Sequence, residues 1–250
     1  MSVEKTISEN SDGDFVSSEA TFLMPAYMSV PMMINNRRVI MRLFTYGAFK
    51  RGFDLVVSSV MLVILSPVFL VIAVLIKLDS PGPVFFRQER TGKNGGGGFN
   101  ILKFRSMVAN NDLRDASCED KYTRLGEKLR KSSIDELPQL INVVRGQMAF
   151  IGPRPWVPEY WENMNERERE RCRVRPGITG LAAASGRNGL SVFEKIGLDL
   201  QYVDNYSLKM DIRVIFMTIR QVFSREEAEA GKGKVRNDIK DLKRENRGRV

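Results

Sequence analysis

An uncharged run of 22 residues, Leu55 to Ile76, is the feature that most constrains how this chain can fold. A helix of that length matches the hydrocarbon core of a bilayer, and helices buried in soluble proteins are rarely so apolar throughout. Pro67 interrupts the run and leaves the carbonyl of Val63 without its helical donor, which the hydroxyl of Ser66 is placed to replace. We therefore predict a membrane-inserted helix that is kinked near its middle.

Basic residues flank this run on both sides, so there is little charge asymmetry to orient a helix that crosses the bilayer. They are Arg42, Lys50 and Arg51 before the run and Lys77, Arg87 and Arg90 after it. A Pro-kinked hairpin that enters and leaves by the cytoplasmic face accounts for the proline and for the charges. The sequence thus predicts a re-entrant membrane helix over residues 43–78.

The remaining chain divides into three parts by composition. Residues 1–42 are polar and then rich in Met and Pro, which predicts a disordered N-terminal extension. Residues 79–223 predict a globular domain of the α/β class, mainly helical with a few short strands. Residues 224–250 predict a charged C-terminal tail.

Local patterns place several elements within the domain. "PVFF" and "FNILKFRSM" predict two strands, and the glycine-rich "RTGKNGGGGFN" between them predicts a hairpin turn. Apolar residues recur at helical spacing between Ile212 and Phe223. That helix either faces the core or lies as an amphipathic helix in the membrane interface.

Composition limits the chemistry. The 39 Lys and Arg residues exceed the 30 Asp and Glu residues, and a net charge of +9 suits an anionic partner such as a phosphorylated substrate or a lipid surface. No nucleic-acid-binding module is recognisable, and the two cysteines have no metal-binding or redox spacing. The absence of histidine excludes Ser-His and Cys-His nucleophile systems and His-ligated zinc. Carboxylates become the leading catalytic candidates.

The stretch "SSIDELPQL" carries two adjacent carboxylates, Asp135 and Glu136, near the start of a helix. Pro138 is tolerated only near a helix start, and Ser133 stands at capping-box spacing from Glu136. Local physics therefore favours a structural cap. The helix dipole would also keep Asp135 ionised, as a nucleophile or a metal ligand requires, so both roles remain open at this point.

Four ordered segments carry a resemblance to a known family. They are "KRGFDLVVSSVMLVILSPVFLVIAVLIKLDSPGPVFFRQERTG", "FNILKFRSM", "LRKSSIDELPQLINVVRGQMAFIGPRP", and "VRPGITGLAAASGRN" with "LDLQYVDNYSLKMDI". Together, over residues 45–223, they resemble the bacterial sugar transferase family of small, single-domain monotopic polyprenol-phosphate phosphoglycosyl transferases. The family usually has Gln-Val-Asn or Gln-Val-Ser before Gly-Arg-Asn, where this chain has Ala183, Ala184 and Ser185.

The resemblance implies transfer of a phospho-sugar from a nucleotide diphosphate sugar, expected to be a UDP-sugar, to polyprenol (undecaprenyl) phosphate. The expected place is the cytoplasmic face of the bacterial inner membrane, and the expected role is to initiate a glycoconjugate, exopolysaccharide, lipopolysaccharide or capsule. The partners implied are the two substrates and the phospholipid membrane, with no nucleic acid; a homo-oligomer is compatible with the resemblance.

The resemblance also implies residue roles. Asp135 attacks the sugar-bearing phosphate and becomes a phospho-sugar aspartate, with Glu136 beside it. Asp135 and Glu136 hold Mg²⁺, which neutralises the diphosphate. The expected substrate-binding residues are Lys103, Arg130, Arg154, Arg187 and Asp211. Asp211 is expected either to orient an arginine or to be the N-cap of the last helix of the domain.

Two other functions remain to be distinguished from this one. A basic membrane scaffold would use the Asp135–Glu136 pair only as a helix cap. A diphosphatase acting on lipid-linked sugars would use the same nucleophile with water as the final acceptor. Release of a nucleoside monophosphate, and its dependence on the lipid acceptor, separate the three.

Overall fold

A computed structural model describes residues 36–108, 122–186, 189–223 and 234–247 of the chain. Residues 1–35 of the predicted extension, Cys118, Arg187 and the tail at 224–233 and 248–250 lie outside these described residues. Residues 36–42, predicted as part of the disordered extension, are instead helical. Most of the described chain is helical and its four strands are short, so the predicted fold class is confirmed at this level.

The described chain contains nine helices and four strands. The helices are α1 (Asn36–Asp79), α2 (Arg124–Lys131), α3 (Gln139–Val144), α4 (Pro158–Asn163), α5 (Glu166–Arg169), α6 (Leu181–Gly186), α7 (Val192–Asp204), α8 (Leu208–Phe223) and α9 (Lys234–Arg247). The strands are β1 (Phe85–Arg90), β2 (Phe99–Phe104), β3 (Ala149–Ile151) and β4 (Gly177–Thr179). Short 3-10 turns cover Lys93–Gly95, Ile134–Glu136 and Glu170–Arg173.

The predicted membrane-type helix is present as α1, one helix of 44 residues with Pro67 inside it. Its segment Phe44–Asp79 is long and apolar enough to cross a membrane, and only 11% of its most apolar window is buried in the protein. Ser66 Oγ donates to the carbonyl oxygen of Val63 at 2.8 Å, which confirms the predicted replacement for the bond lost at Pro67.

The buried side of α1 packs on the domain at both ends. Near its C-terminal end, Ile72 and Ile76 lie in an apolar cluster with Phe104 of β2 and Leu129 of α2. Near its N-terminal end, Arg51 donates two hydrogen bonds to the last turn of α3, to the carbonyl oxygens of Val143 at 2.5 Å and Val144 at 2.8 Å. The membrane-type helix is thus bonded to α3.

The predicted hairpin is confirmed. β1 and β2 pair antiparallel, with Phe85 opposite Phe104 and Arg90 opposite Phe99 at the turn end. Gly95, in this turn, has φ +69° and lies so close to Trp161 that a Cβ would come within 2.0 Å of the indole ring. Only glycine fits there, and the turn is therefore held against α4.

α8 has its apolar stripe on the outside. Val214 and Met210 face the core, together with Tyr202 and Val203 of α7. Four residues of the stripe identified in the sequence are instead exposed, namely Ile212, Ile215, Phe216 and Ile219, and Leu208 before them is exposed as well. The core-facing interpretation of this stripe is therefore wrong, because the core contacts of α8 come from the opposite side of the helix.

α9 lies within residues 224–250, the part of the sequence that is predicted as a charged tail. Leu242 is fully buried in an apolar cluster with Tyr160 and Met164 on the α4 side and Val192, Ile196 and Leu200 of α7. The exposed faces of α9 carry charged residues such as Lys240 and Asp241.

Candidate active site

Asp135 and Glu136 lie in the 3-10 turn Ile134–Glu136, between α2 and α3. The predicted capping box is wrong: Ser133 has a left-handed backbone, with φ 58°, and makes no capping hydrogen bond through its side chain. The left-handed residue turns the chain sharply after α2, so the two carboxylates face other groups instead of the helix end.

Two cations converge on one oxygen of Glu136. Its Oε1 accepts from Lys103 Nζ at 2.5 Å and from Arg154 Nη2 at 2.8 Å. Burial alone would raise the pKa of Glu136, but the charges of Arg154 and Lys103 outweigh it and lower the pKa to about 2. Glu136 is therefore an anion throughout the working pH range and holds the two cations in place.

Asp135 is the more buried carboxyl group, with 6% of the residue exposed. Its burial raises its pKa above the usual range, and the neighbouring negative charge of Glu136 acts in the same direction. The positive charges of Lys103, Arg130 and Arg154 oppose this rise. The dyad thus contains one strongly acidic carboxylate and one whose basicity is increased, which is the property that a carboxylate nucleophile needs.

Lys103 and Arg130 reach the dyad from different elements. Lys103 extends from β2, and its burial lowers its pKa while Glu136 opposes the change. Arg130, in the last turn of α2, donates to the hydroxyl of Tyr122 and lies over that ring, 5.0 Å from its centroid. Arg130 acts on Asp135 through its charge.

Arg154 is held by its backbone. It lies between Pro153 and Pro155, and its carbonyl oxygen accepts from Arg171 Nη2 at 2.9 Å. Arg171 is almost fully buried, pairs with Asp199 at 2.5 Å and stacks on the ring of Trp156 at 3.9 Å. The guanidinium of Arg154 is paired with Glu136, and half of the side chain is exposed, so a ligand can reach it while the main chain stays fixed.

Asp211 lies in a different network from the dyad. Its carboxylate accepts from the hydroxyls of Tyr46 and Tyr202, both at 2.6 Å, and pairs with Lys50. These contacts join α1, α7 and α8 around a buried charge. Asp211 is the fourth residue of α8, and the bond from its N–H to Ser207 O makes Ser207 the cap, so Asp211 is not the N-cap. Arg187 lies outside the described residues.

Arg90 is a site residue that the sequence analysis missed, because it was counted only as a flanking charge. It ends β1, and the next N–H, that of Thr91, donates to Trp156 O at 2.8 Å, which places Arg90 beside the segment that carries Arg154. Burial and the charge of Arg154 lower the pKa of Arg90 to about 10. The sequence signal was an arginine at a strand end before a glycine-rich turn.

The two carboxylates are a suitable donor set for Mg²⁺. In the part of the chain that the structure describes, no group of three His, Cys, Asp or Glu side chains could hold a metal. Mg²⁺ commonly uses only one or two carboxylates together with the phosphates of a substrate, so Asp135 and Glu136 meet this requirement without a third ligand. The hard carboxylate oxygens also match its preference.

These features define a class of protein. A buried aspartate next to a glutamate that a lysine and an arginine hold, on a domain with a long exposed apolar helix, is typical of the active site of a membrane-associated enzyme. The chain belongs to the bacterial sugar transferase family, whose family model matches residues 45–225.

Three relatives illustrate the family. The chain is 43% identical over 193 residues to the undecaprenyl-phosphate glucose phosphotransferase of Komagataeibacter xylinus, over 70% of this chain and 36% of that protein. It is 39% identical over 195 residues to the exopolysaccharide production protein ExoY of Rhizobium meliloti; the match covers 70% of this chain and 86% of that protein. It is 41% identical over 192 residues to the UDP-N-acetylgalactosamine-undecaprenyl-phosphate N-acetylgalactosaminephosphotransferase of Aeromonas hydrophila; the match covers 72% of this chain and 44% of that protein. The chain thus spans less than half the length of the first and third relatives.

Proposed function

We propose that this chain transfers a phospho-sugar from a UDP-sugar to undecaprenyl phosphate, at the cytoplasmic face of the bacterial inner membrane, as the first step of exopolysaccharide or related glycoconjugate synthesis. The observation that carries the proposal is the pair of contacts to Glu136 Oε1, from Lys103 and Arg154, next to the buried Asp135. The names of the relatives support the substrate classes, and they differ in the sugar, so the sugar is left open.

In the first displacement, a carboxylate oxygen of Asp135 attacks the sugar-bearing phosphorus of the donor. A bond forms between that oxygen and phosphorus, and the phosphoanhydride bond breaks, so the nucleoside monophosphate leaves with the electron pair. The raised pKa of Asp135 makes its oxygen a better nucleophile than an ordinary surface carboxylate. The product on the enzyme is a phospho-sugar aspartate.

In the second displacement, a phosphate oxygen of the lipid attacks the same phosphorus. The bond to Asp135 breaks, the carboxylate is restored, and the polyprenyl diphosphate sugar leaves along the membrane. Splitting the transfer in this way allows a soluble donor and a lipid acceptor to use one position beside Asp135 in turn.

The basic residues bind and orient the phosphates. Arg154 presents a planar fork that suits two phosphate oxygens, and Lys103 presents a point charge. We assign Arg130 and Arg187 to the same class of contact, and Asp211 to the support of the domain on α1. Mg²⁺, held by Asp135 and Glu136 with the donor diphosphate, would neutralise charge on the leaving monophosphate.

The membrane arrangement is part of the proposal. We propose that in the bilayer α1 bends at Pro67 and enters and leaves by the cytoplasmic face, because each arm of about ten residues reaches roughly 15 Å, half of a bilayer core. The exposed stripe of α8 would lie in the interface, where the large exposed side chains of Phe216 and Ile219 would be buried in lipid. Both elements then bring the dyad to the surface where the lipid phosphate lies.

A donor screen tests the proposed function. The detergent-extracted chain is mixed with undecaprenyl phosphate, Mg²⁺ and each of a panel of nucleotide sugars, and the released nucleoside monophosphate and the lipid product are measured. We expect release of monophosphate together with lipid-linked sugar from at least one UDP-sugar, lost in Asp135→Asn and retained in Glu127→Gln, an exposed acid on α2. Hydrolysis of lipid-linked sugar without transfer would indicate a diphosphatase, and inactivity with every donor would indicate a scaffold.

A further inference from the structure

The C-terminal helix α9 is outside the residues that match the family, which end at 225. It nevertheless docks on the domain through two kinds of contact. Leu242 is fully buried against the apolar cluster of α4 and α7. Asp238 Oδ2 accepts a hydrogen bond from the hydroxyl of Tyr160, on α4, at 3.2 Å. A polar bond beside a buried leucine fixes both the position and the rotation of α9.

Tyr160 connects this helix to the active site. Its ring packs against Trp156, with centroids 4.6 Å apart, and Trp156 accepts the backbone bond from Thr91. The residue after Arg90 is therefore hydrogen-bonded to the segment against which the ring of Tyr160 packs. The charge of Arg90 and the hydroxyl of Tyr160 also act on each other, since each shifts the pKa of the other.

The partly buried guanidinium of Arg90 has no ion-pair partner in the part of the chain that the structure describes; its Nη2 donates to the neutral side chain of Gln88. Its Nε is buried and has no hydrogen-bond partner among the described residues. The charged groups that act on its pKa are Arg154, which lowers it, and Glu136, whose Oε1 is already shared by Lys103 and Arg154. Two guanidiniums with one occupied carboxylate leave an excess of positive charge that a phosphate group would neutralise, with N–H donors available for its oxygens.

We propose that α9 is a positioning element that, through the bond between Asp238 and Tyr160, holds Arg90 beside Arg154 so that the two guanidiniums bind one phosphate of the donor's diphosphate. The proposal rests on the proposed function, because the diphosphate donor is its ligand. Tyr160 and Asp238 touch no substrate; they act through Arg90. Arg154 lines a small cleft together with Thr91, the residue that follows Arg90.

The test measures the dissociation constant for UDP by titration calorimetry, with the full chain and Mg²⁺, together with KM and kcat for the active donor. We expect Tyr160→Phe and Asp238→Ala to raise both the dissociation constant and KM by about three- to tenfold, the effect of one lost hydrogen bond, with kcat little changed. Asp238→Asn retains an acceptor oxygen and should restore most of the affinity. Asp241→Ala, an exposed acid on the same helix, is the matched control and should behave as wild type.

A double-mutant cycle separates positioning from general weakening of the fold. Arg90→Lys should raise the dissociation constant for UDP by itself, and adding Asp238→Ala should raise it no further, because the pathway is already interrupted. The proposal would be overturned if the effects of Arg90→Lys and Asp238→Ala on the dissociation constant were additive, or if Tyr160→Phe and Asp238→Ala both bound UDP like wild type. A wild-type chain that binds no UDP would overturn it as well. If the variants change UDP affinity as expected but the chain transfers no sugar from any donor, the proposed function would be contradicted and the positioning role of α9 would stand.

Discussion

The buried Arg171 holds Arg154 by its main chain: Nη2 of Arg171 lies 2.9 Å from the carbonyl oxygen of Arg154. The side chain of Arg154 takes no part in this bond and reaches Glu136 instead. The main chain of Arg154 therefore fixes its position, and its side chain is left to bind a ligand. A substitution of the side chain leaves the backbone support in place.

Arg154→Lys tests the planar fork. The charge remains but paired hydrogen bonds to phosphate do not, so we expect kcat/KM to fall about 10- to 100-fold, the usual range for charge-assisted bonds. Steady-state kinetics measure it, and Arg145→Lys, an exposed arginine after α3, is the control. Near-wild-type kinetics in Arg154→Lys would mean that Arg154 does not bind phosphate through two nitrogens.

Asp135→Asn should abolish turnover without loss of stability. Burial places the folded-state pKa of Asp135 above its unfolded value, so the charge of Asp135 opposes folding at neutral pH. This cost is relieved only as the pH falls through the folded-state pKa. The neutral amide avoids that cost. We expect a melting temperature equal to or above that of wild type, measured by differential scanning fluorimetry. A clear loss of stability would show that the ionised carboxylate itself supports the fold.

Glu136→Gln should have the opposite effect on stability. Glu136 is the partner of Lys103, which is largely buried, and removing one member of such a pair leaves an uncompensated charge. We expect a loss of about 1–3 kcal/mol in the free energy of unfolding, less than for a fully buried pair because about a fifth of each side chain is exposed. Denaturant titration measures it, and activity should also fall severely. Unchanged stability would contradict the role of Glu136 as the anchor of the cations.

The acid limb of the pH–rate profile should follow Asp135. Activity requires its carboxylate, so kcat/KM should fall as the pH decreases through a pKa that is above the usual aspartate value, while Glu136 stays ionised down to about pH 2. Arg130 lowers the pKa of Asp135, so Arg130→Gln should move the acid limb to higher pH. Lys128→Gln removes an exposed charge on the same helix and should leave the limb in place. If Arg130→Gln does not move the acid limb, the limb reports the titration of a group other than Asp135.

The topology of α1 can be tested with single cysteines at Met41 and Arg87, in a chain from which Cys118 and Cys172 have been removed. Both positions should be protected from a membrane-impermeant thiol reagent outside intact cells, and both should react once the cytoplasmic face is opened. Pro67→Leu restores the helical bond and should make some molecules cross. Labelling of position 41 from outside in the parent chain would show an ordinary transmembrane anchor.

Patterns within a single segment were enough to predict several elements. The strand signals in "PVFF" and "FNILKFRSM" and the glycines between them predicted the β1–β2 hairpin, and the bond from Ser66 to Val63 followed from the position of Pro67. In each case the partners lie close together in the chain, so local geometry is sufficient.

Features that depend on distant segments could not be predicted. Ser133 and Glu136 have the spacing of a capping box, but Glu136 pairs with Lys103 and Arg154 from elsewhere in the chain, and these charge-assisted bonds outweigh the local cap. The position of Arg90 beside the segment of Arg154 likewise depends on the hydrogen bond between Thr91 and Trp156. The stripe on α8 has the same spacing whether it faces protein or lipid, so periodicity alone could not decide between them.

The two hydrogen bonds from Arg51 to the end of α3 have a mechanical consequence. α3 begins three residues after Glu136, so a shift of α1 along its axis pulls on the short helix next to the dyad. Bilayer thickness and lateral tension would then act on the reaction rate as well as on anchoring. Turnover in vesicles of different acyl-chain length should vary less in Arg51→Gln than in wild type, and an equal variation would exclude this link.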